Sequence, residues 1–332
     1  MIIKSNFKPA WWCCNRHLQT IIPSLFRRVA SPKLQRERLI TEDGDFIDVD
    51  FCGEGDQPLV ILLHGLTGSS QSSYILGLQN SLLEQGLRSA ALNFRGCSGE
   101  FNQTSRCYHS GETGDIHFLY RTLREREPQT PIGAVGFSIG GNVLLKWLGE
   151  QGNALDLFAA VAVSVPFNLG QCATQLDTGF SKIYRKRLIR ELKDYIHLKR
   201  QHLERIGAKE QLEHIKQIGS LHKVRSFWQY DQHVIAQLYD FSSAEDYYQR
   251  SSSWQFLPEI KVPTLLIQAQ DDPFMSADII PRKQELPASV SLELTVAGGH
   301  VGFMQSHGLF KFSYWLDSRI PAFLIQQLNK TV

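Results

Sequence analysis

The sequence predicts an α/β architecture, a mostly parallel sheet flanked by helices with an inserted helical cap, and three observations carry that prediction. Short continuous apolar runs recur along the 332 residues, alternating with stretches of helical periodicity. Strands covered on both faces read as unbroken apolar runs, and a strand–helix–strand rhythm means parallel pairing with helices on either side. The rhythm stops between Pro166 and about Pro258, where no convincing core strand is found, and then resumes. The segment Gly136-Phe137-Ser138-Ile139-Gly140 joins a strand-like run to a helical one, which places Ser138 on a sharp strand-to-helix turn.

Taken in order, Arg36–Leu39 and Phe46–Phe51 flank Asp43-Gly44, a hairpin signal that predicts an antiparallel pair at one sheet edge. Leu59-Val60-Ile61-Leu62-Leu63 is the first buried parallel strand, followed by a helix over 74–85. Arg88–Phe94 is the next strand, Thr113–Arg126 a helix, and Pro131–Phe137 the strand bearing the serine. Phe158–Ser164, Pro263–Gln268 and Ser291–Val296 complete the core strands. Residues 1–165 and 259–332 therefore form the core, with an N-terminal extension over 1–35, and residues 166–258 form the cap. Within the cap, Lys182–Arg205 and Lys209–Ile218 are the clearest helices. An insertion at this point hangs over the carboxyl edge of the sheet, where open α/β sheets bind ligands.

Composition limits the function classes. Hydrophobic residues at 42% and charged ones at 20% describe an ordinary globule, and a net charge of +2 gives no case for nucleic acid. No run of about 18 apolar residues occurs, so no membrane span is expected. Residues 1–28 lack the apolar core and cleavage site of a signal peptide and are read as mature protein. The six cysteines have neither a C-x-x-C pair nor metal-ligand spacing, so no metal or cofactor is expected, and Cys13-Cys14 is assigned to packing. The plain inference is a reducing, cytoplasmic setting. Lys182–Arg205 carries nine Lys or Arg against three Asp or Glu. Its bland reading is a solvated helix face, and its sharper one a peripheral contact with anionic lipid.

A serine nucleophile needs a base, and the base an orienting acid. Beyond the cap, Pro263–Gln268 runs into Ala269-Gln270-Asp271-Asp272-Pro273, and one strand later comes Ala297-Gly298-Gly299-His300. Ser138, Asp272 and His300 thus follow strand ends at one sheet edge, in the order Ser, Asp, His. Counting from Ala269 favours Asp272 as the acid, leaving Asp271 to cap the loop or a helix beginning near Ala277. His307 is the next candidate base and is expected at the start of a terminal helix. The amide of Ile139, at a helix N-terminus, and that of Leu66, in His64-Gly65-Leu66-Thr67-Gly68, are the expected oxyanion donors, with Gly65 permitting a tight turn and His64 holding the loop through backbone. Arg95 and Asp115 either shape a pocket wall, with Tyr108 and His109, or pair structurally. Phe167, Phe180, Phe227, Trp228 and Phe274 are candidates for an apolar acyl pocket, the cap's own core being the competing use.

With these residues in place, the chain resembles the α/β-hydrolase superfamily, in particular the YheT-like esterase group related to the ABHD1 and ABHD3 proteins. The resemblance extends over most of the chain: His17-Leu18-Gln19-Thr20, His64 to Gly68, Asn93-Phe94-Arg95-Gly96-Cys97, Tyr108-His109-Ser110-Gly111-Glu112-Thr113, Gly136 to Asn142, and Asp271-Asp272-Pro273-Phe274. It implies the α/β-hydrolase fold and hydrolysis of carboxylic esters with short- or medium-chain acyl groups or of phospholipids. In that group the position of Asp271 can be Asn while that of Asp272 stays acidic. The expected protein is a serine carboxylesterase acting on a small-molecule acyl ester, with activity rising through the imidazole range of about 6–7. An acyltransferase or thioesterase would use the same residues, and a non-catalytic binding protein is the rival from another class. Dehalogenase and epoxide hydrolase chemistry is disfavoured, because those relatives carry Asp at the position of Ser138.

Overall fold

The structure, a computed structural model, describes residues 1–308 and 311–331. Its centre is a nine-stranded sheet in the order β1-β9-β8-β7-β6-β4-β5-β3-β2, built from β1 (Ile2–Lys4), β2 (Leu34–Ile40), β3 (Phe46–Cys52), β4 (Leu59–Leu63), β5 (Arg88–Asn93), β6 (Ile132–Phe137), β7 (Ala159–Val163), β8 (Thr264–Ala269) and β9 (Val290–Thr295). All pairings from β1 through β5 are parallel, and β3 and β2 add the antiparallel edge expected of the Asp43-Gly44 hairpin. Every residue of β4, β6 and β7 is buried, as double coverage requires.

The outermost strand β2 is tied to β3 by cross-strand ion pairs. Arg36 opposes Asp50 and Arg38 opposes Asp48 in register, and each guanidinium grips its carboxylate through two nitrogens at 2.8–2.9 Å. At the other edge stands β1, which the apolar pattern of β9 does not announce. Its three residues pair with Leu292–Leu294.

Helices α1 (Arg16–Phe26), α2 (Ser73–Glu84), α3 (Gly114–Arg126) and α4 (Ile139–Gln151) precede the long helical stretch. One face of the sheet packs Ile61, Leu63 and Ala134 against Ile116 and Leu119 of α3 and Val143 and Trp147 of α4. The other packs Leu62, Val135 and Val161 against Ile75 and Leu78 of α2 and Leu316 and Ile320 of the terminal helix. Between β7 and β8 run α5 (Leu169–Gln175), α6 (Ser181–Arg205), α7 (Lys209–Lys216), α8 (Phe227–Tyr230), α9 (Ala236–Leu238) and α10 (Ala244–Ser251). They share an apolar cluster of their own that includes Leu192, Ile196, Phe227 and Val234. After β9 come two short strands, β10 (Met304–Ser306) and β11 (Phe312–Tyr314), paired antiparallel apart from the main sheet, and then α11 (Trp315–Thr331). His307 therefore does not open the terminal helix: it follows β10, its Nε2 2.8 Å from the Ser313 hydroxyl.

Strand order sets where a ligand can enter. From β4 the chain moves to β5 on one side and then crosses to β6 on the other. The segments leaving the carboxyl ends of β4 and β6 diverge, and the crevice between them is the topological switch point. No helix among the described residues is long and apolar enough to cross a membrane.

Candidate active site

Ser138 leaves β6 in a conformation that few side-chain-bearing residues adopt, with φ 53° and ψ −121°. Its amide donates to Val163 O at 2.8 Å, and the helix α4 begins on the next residue. The flanking glycines are required by crowding and not by a positive φ. A Cβ on Gly136 would stand 2.4 Å from Gly140 O, and one on Gly140 would stand 2.4 Å from His64 O. The bend therefore closes only where both neighbours lack side chains.

The structure brings the three sequence-predicted residues together. Ser138 Oγ lies 2.9 Å from His300 Nε2, and His300 Nδ1 lies 2.8 Å from Asp272 Oδ2. Asp272 is 1% exposed, and its other carboxylate oxygen accepts the Phe274 amide at 2.9 Å. Asp271 has a different partner. Its Oδ1 accepts from the amide of Gly299 at 2.9 Å, which straps the loop carrying His300 to the end of β8. It caps that loop and no helix, since only a short turn over Ala277–Ile279 follows. Burial pushes the Asp271 carboxyl up from its ordinary value.

The segment after β4 passes directly beside the serine: a Cβ on Gly65 would sit 3.3 Å from Ser138 Cβ. The backbone amides of Leu66 and Ile139 have no hydrogen-bond partner among the described residues, and both residues border the same cavity as Ser138. The positive φ of the turn falls on Thr67, at 56°, so Gly65 is needed for proximity to Ser138 and Tyr74 and not for the turn's handedness. The Gly65 amide donates to the Tyr74 hydroxyl at 2.8 Å and that of Thr67 to the Tyr108 hydroxyl at 3.0 Å. His64 is buried, with Nδ1 2.7 Å from Gly65 O and Nε2 accepting from the Phe94 amide at 3.1 Å. Loss of water drives its pKa down to about 4, so it is a neutral strut for the loop.

Sequence reasoning missed the helix that supports the site from behind. In α1, Thr20 Oγ1 accepts the His300 amide at 2.9 Å, and Arg16 Nη2 donates to Asp272 O at 2.7 Å. Gln19 accepts from the Met304 amide at 2.8 Å and donates to Met304 O at 2.9 Å. The contact is so close that a Cβ on Gly302 would stand 1.8 Å from Gln19 O. The signal available was the Asn15 N-cap, whose side chain accepts from the amides of His17 and Leu18. Pro23 inside the helix and the Trp11-Trp12-Cys13-Cys14 stretch before it obscured the pattern.

A cavity of about 570 Å³ opens over Ser138 and His300. Leu66, Leu169, Leu192, Phe227, Ile235 and Phe274 supply much of its wall. Of the five candidate aromatic residues, Phe227 and Phe274 border it. Phe167 packs instead in the core beneath α4, Phe180 is exposed and lies against His17 with the rings tilted by 41°, and Trp228 donates to Thr174 on the outer surface of the helical stretch. Arg95 also lies outside the cavity. It is buried and bonded to Asp115 Oδ1 at 2.8 Å and Asp43 Oδ2 at 2.9 Å, the structural pairing of the two readings, whereas Tyr108 and His109 do reach the cavity. The basic helix α6 is partly committed as well: Lys199 is buried and donates to Arg106 O at 2.9 Å, and Arg187 pairs with Glu191 at 2.8 Å.

A family model described as alpha/beta hydrolase fold matches residues 58–306. The chain is 38% identical over 329 residues to the candidate esterase YheT of Escherichia coli (strain K12), covering 98% of this chain and 94% of that protein. It is 27% identical over 314 residues to the phospholipase ABHD3 of Mus musculus, covering 92% of this chain and 74% of that one. Among solved structures, the Pyrococcus furiosus esterase Pf2001 superposes with a TM-score of 0.56 at 18% identity, covering 98% of both chains, which is a likeness of fold.

Proposed function

The chain belongs to the alpha/beta hydrolase fold family, and from that membership we propose that it is a serine carboxylesterase acting on short- or medium-chain acyl esters. The observation that carries the proposal is the unbroken run of contacts from Ser138 Oγ through His300 to Asp272, facing an apolar-walled cavity. Ser138 Oγ attacks the ester carbonyl carbon as His300 Nε2 takes its proton. Asp272 fixes the imidazole tautomer and stabilises the imidazolium. The amides of Leu66 and Ile139 hold the oxyanion, each such donor contributing on the order of 10²–10³ in rate. Collapse breaks the bond to the leaving alcohol, which takes the proton from His300. Water then adds to the acyl-enzyme with His300 again as base, and the carboxylic acid leaves as Ser138 is reprotonated. In this reading residues 166–258 act as a cap that sets acyl length and water access.

A fluorophosphonate probe tests the nucleophile: a covalent adduct at Ser138 in folded wild type, absent in Ser138→Ala, is the expected result. No adduct would favour a non-catalytic binding protein. Hydrolysis of p-nitrophenyl esters from acetyl to palmitoyl then reports pocket depth. Product analysis with and without added alcohol or thiol separates hydrolysis from acyl transfer by the same residues.

The rim of the cavity favours substrate arriving from a lipid surface. Leu25 of α1 and Ile183 of α6 border the cavity and are 58% and 57% exposed, and Lys182, Lys186 and Arg190 lie exposed on the same turns of α6. Co-sedimentation with vesicles containing an anionic phospholipid, lost on Leu25→Ser together with Ile183→Ser, checks this contact. Equal recovery with neutral and anionic vesicles would remove the electrostatic part of it.

A further inference from the structure

Helix α8 does not run smoothly into α9. Between them, Asp231–Ile235 form a π-helical turn, a widened turn that is rare and recurs at functional sites. Its effect is positional, since Tyr230, Asp231 and Ile235 all border the cavity that holds Ser138. Asp231 is 8% exposed, and its carboxyl has one hydrogen bond, accepted by Oδ2 from the Tyr248 hydroxyl at 2.5 Å. No cation pairs with it among the described residues, and its second carboxyl oxygen has no partner there. Beside it, Tyr230 is 4% exposed, and its hydroxyl likewise has no partner among the described residues. Much of the surrounding wall is apolar, with Leu169, Leu192, Phe227 and Ile235.

A carboxyl in such a place is expensive. Removing an acid from water without a counter-charge destabilises the fold, and one neutral hydrogen bond only partly offsets that. An apolar residue of similar size would serve packing better. The cost is understandable where the polar pair meets a polar group of the ligand, because a buried site built to hydrogen-bond a substrate rejects the analogue that leaves it unpaired.

We propose that Tyr230 and Asp231 form a subsite for a hydroxyl group carried by the substrate, within the cavity where Ser138 acts. The pair presents one free donor, the Tyr230 O–H, and one free acceptor, the second Asp231 oxygen. A hydroxyl is both acceptor and donor and satisfies the two together. Desolvation raises the Asp231 pKa to about 7, so near neutral pH both forms of the carboxyl are populated, and a hydroxyl, unlike a pure donor or a pure acceptor, pairs with either. The hydroxyl belongs either to the acyl chain or to the alcohol moiety of the ester. This inference rests on the esterase reading for what the ligand is, but its test does not depend on turnover.

The test is calorimetric binding to Ser138→Ala protein, which lacks the proposed nucleophile. One arm compares methyl octanoate with its chain-hydroxylated series, from 3- to 8-hydroxyoctanoate. The other compares butyl octanoate with 4-hydroxybutyl octanoate. The expected result is that one arm shows about 10-fold tighter binding of a hydroxylated ester, the yield of two added hydrogen bonds. That preference should fall several-fold when Tyr230→Phe or Asp231→Leu is added, with little change for the parent ester. Tyr230→Phe removes a single oxygen and keeps the ring, so it carries the test if the Asp231 variant does not fold. Preferences below about 2-fold in both arms, a preference unchanged by Tyr230→Phe, or tighter binding of methyl 8-aminooctanoate would overturn the proposal. Hydrolysis of butyl octanoate by wild type is scored separately: its absence rejects the esterase reading and leaves the binding comparison intact.

Discussion

Phe274 lies flat against His300, ring centroids 4.0 Å apart and planes 9° from parallel, while its own amide donates to Asp272 Oδ1 at 2.9 Å. One residue thus holds both the proposed base and the proposed acid, through its ring and its backbone respectively. Phe274→Ala keeps the amide and removes the ring, leaving the imidazole free to swing from the serine. We expect kcat to fall about 10- to 100-fold, as small misplacements of reacting groups do, and Phe274→Tyr to retain most of it. An unchanged kcat in the alanine variant, read by stopped-assay kinetics on one p-nitrophenyl ester, would show that the stacking does not position His300.

The α1 support makes a second prediction. Thr20→Val keeps the shape but removes the acceptor for the His300 amide. A drop of several-fold in kcat, with KM changed less, is expected, and Thr20→Ser should restore it. If valine and serine behave alike, the hydrogen bond has no part in placing His300.

Ser138 sits where backbone strain of about 1–3 kcal/mol is typical for a residue with a side chain. Ser138→Gly should therefore unfold at higher temperature or denaturant than wild type while losing activity by roughly 10⁶-fold, as for removal of a serine nucleophile. A glycine variant less stable than wild type would mean that the turn is relaxed.

Acid stability follows from two buried imidazoles. Burial lowers the pKa of both His64 and His109 to about 4. Unfolded histidine takes up a proton near 6.5, so as pH falls from there towards 4 the unfolded chain binds protons that the folded one refuses. Stability then declines with falling pH, by up to about 1.4 kcal/mol per pH unit for each group. Urea titrations between pH 7 and 5 should show a shallower decline for His109→Gln than for wild type, and parallel curves would mean that His109 is protonated in the folded protein.

Asp231 acts with the opposite sign. Its folded pKa, about 7, stands above the unfolded carboxylate value, so its stabilising proton is fully present below about pH 4 and lost as pH rises through 7. The stability of Asp231→Asn relative to wild type should rise between pH 5 and 7.5, the window in which the wild-type carboxyl is forced to ionise. A difference constant across that window would place a compensating charge beside the group.

The site was legible in the sequence where its constraints are local. Gly136 is crowded by the backbone of Gly140 and Gly140 by the end of β4 at Leu63 and His64, and the bend at Ser138 leaves a readable pattern because both demands fall within five residues of sequence. Asp272 and His300 could be placed because each follows a buried strand, and parallel strands end at a common edge. The missed contacts span the chain. Thr20 meets His300 across 280 residues and Arg16 meets Asp272 across 256, and nothing in either local sequence marks such a partner. β1 is illegible for the same reason, since its three residues are a strand only because the edge of β9 is there to receive them. Aromatic residues are ambiguous by nature: Phe227 and Phe274 reach the cavity, whereas Phe167 serves the core, and one hydrophobic side chain looks like another until the packing is known.

The paired arginines of β2 also bear on how the protein behaves when concentrated. A sheet edge with free amides and carbonyls is a template on which another chain can polymerise. Here Arg36 and Arg38 keep about 39% and 37% of their side chains in water while gripping Asp50 and Asp48 on the neighbouring strand. An incoming strand would have to strip water from those guanidinium groups and gains no carboxylate in return, because both are already held. The ion pairs that fasten the hairpin therefore also act as gatekeepers against fibrillation, and neutral residues at those two positions would expose a flat seam on which aggregates can nucleate.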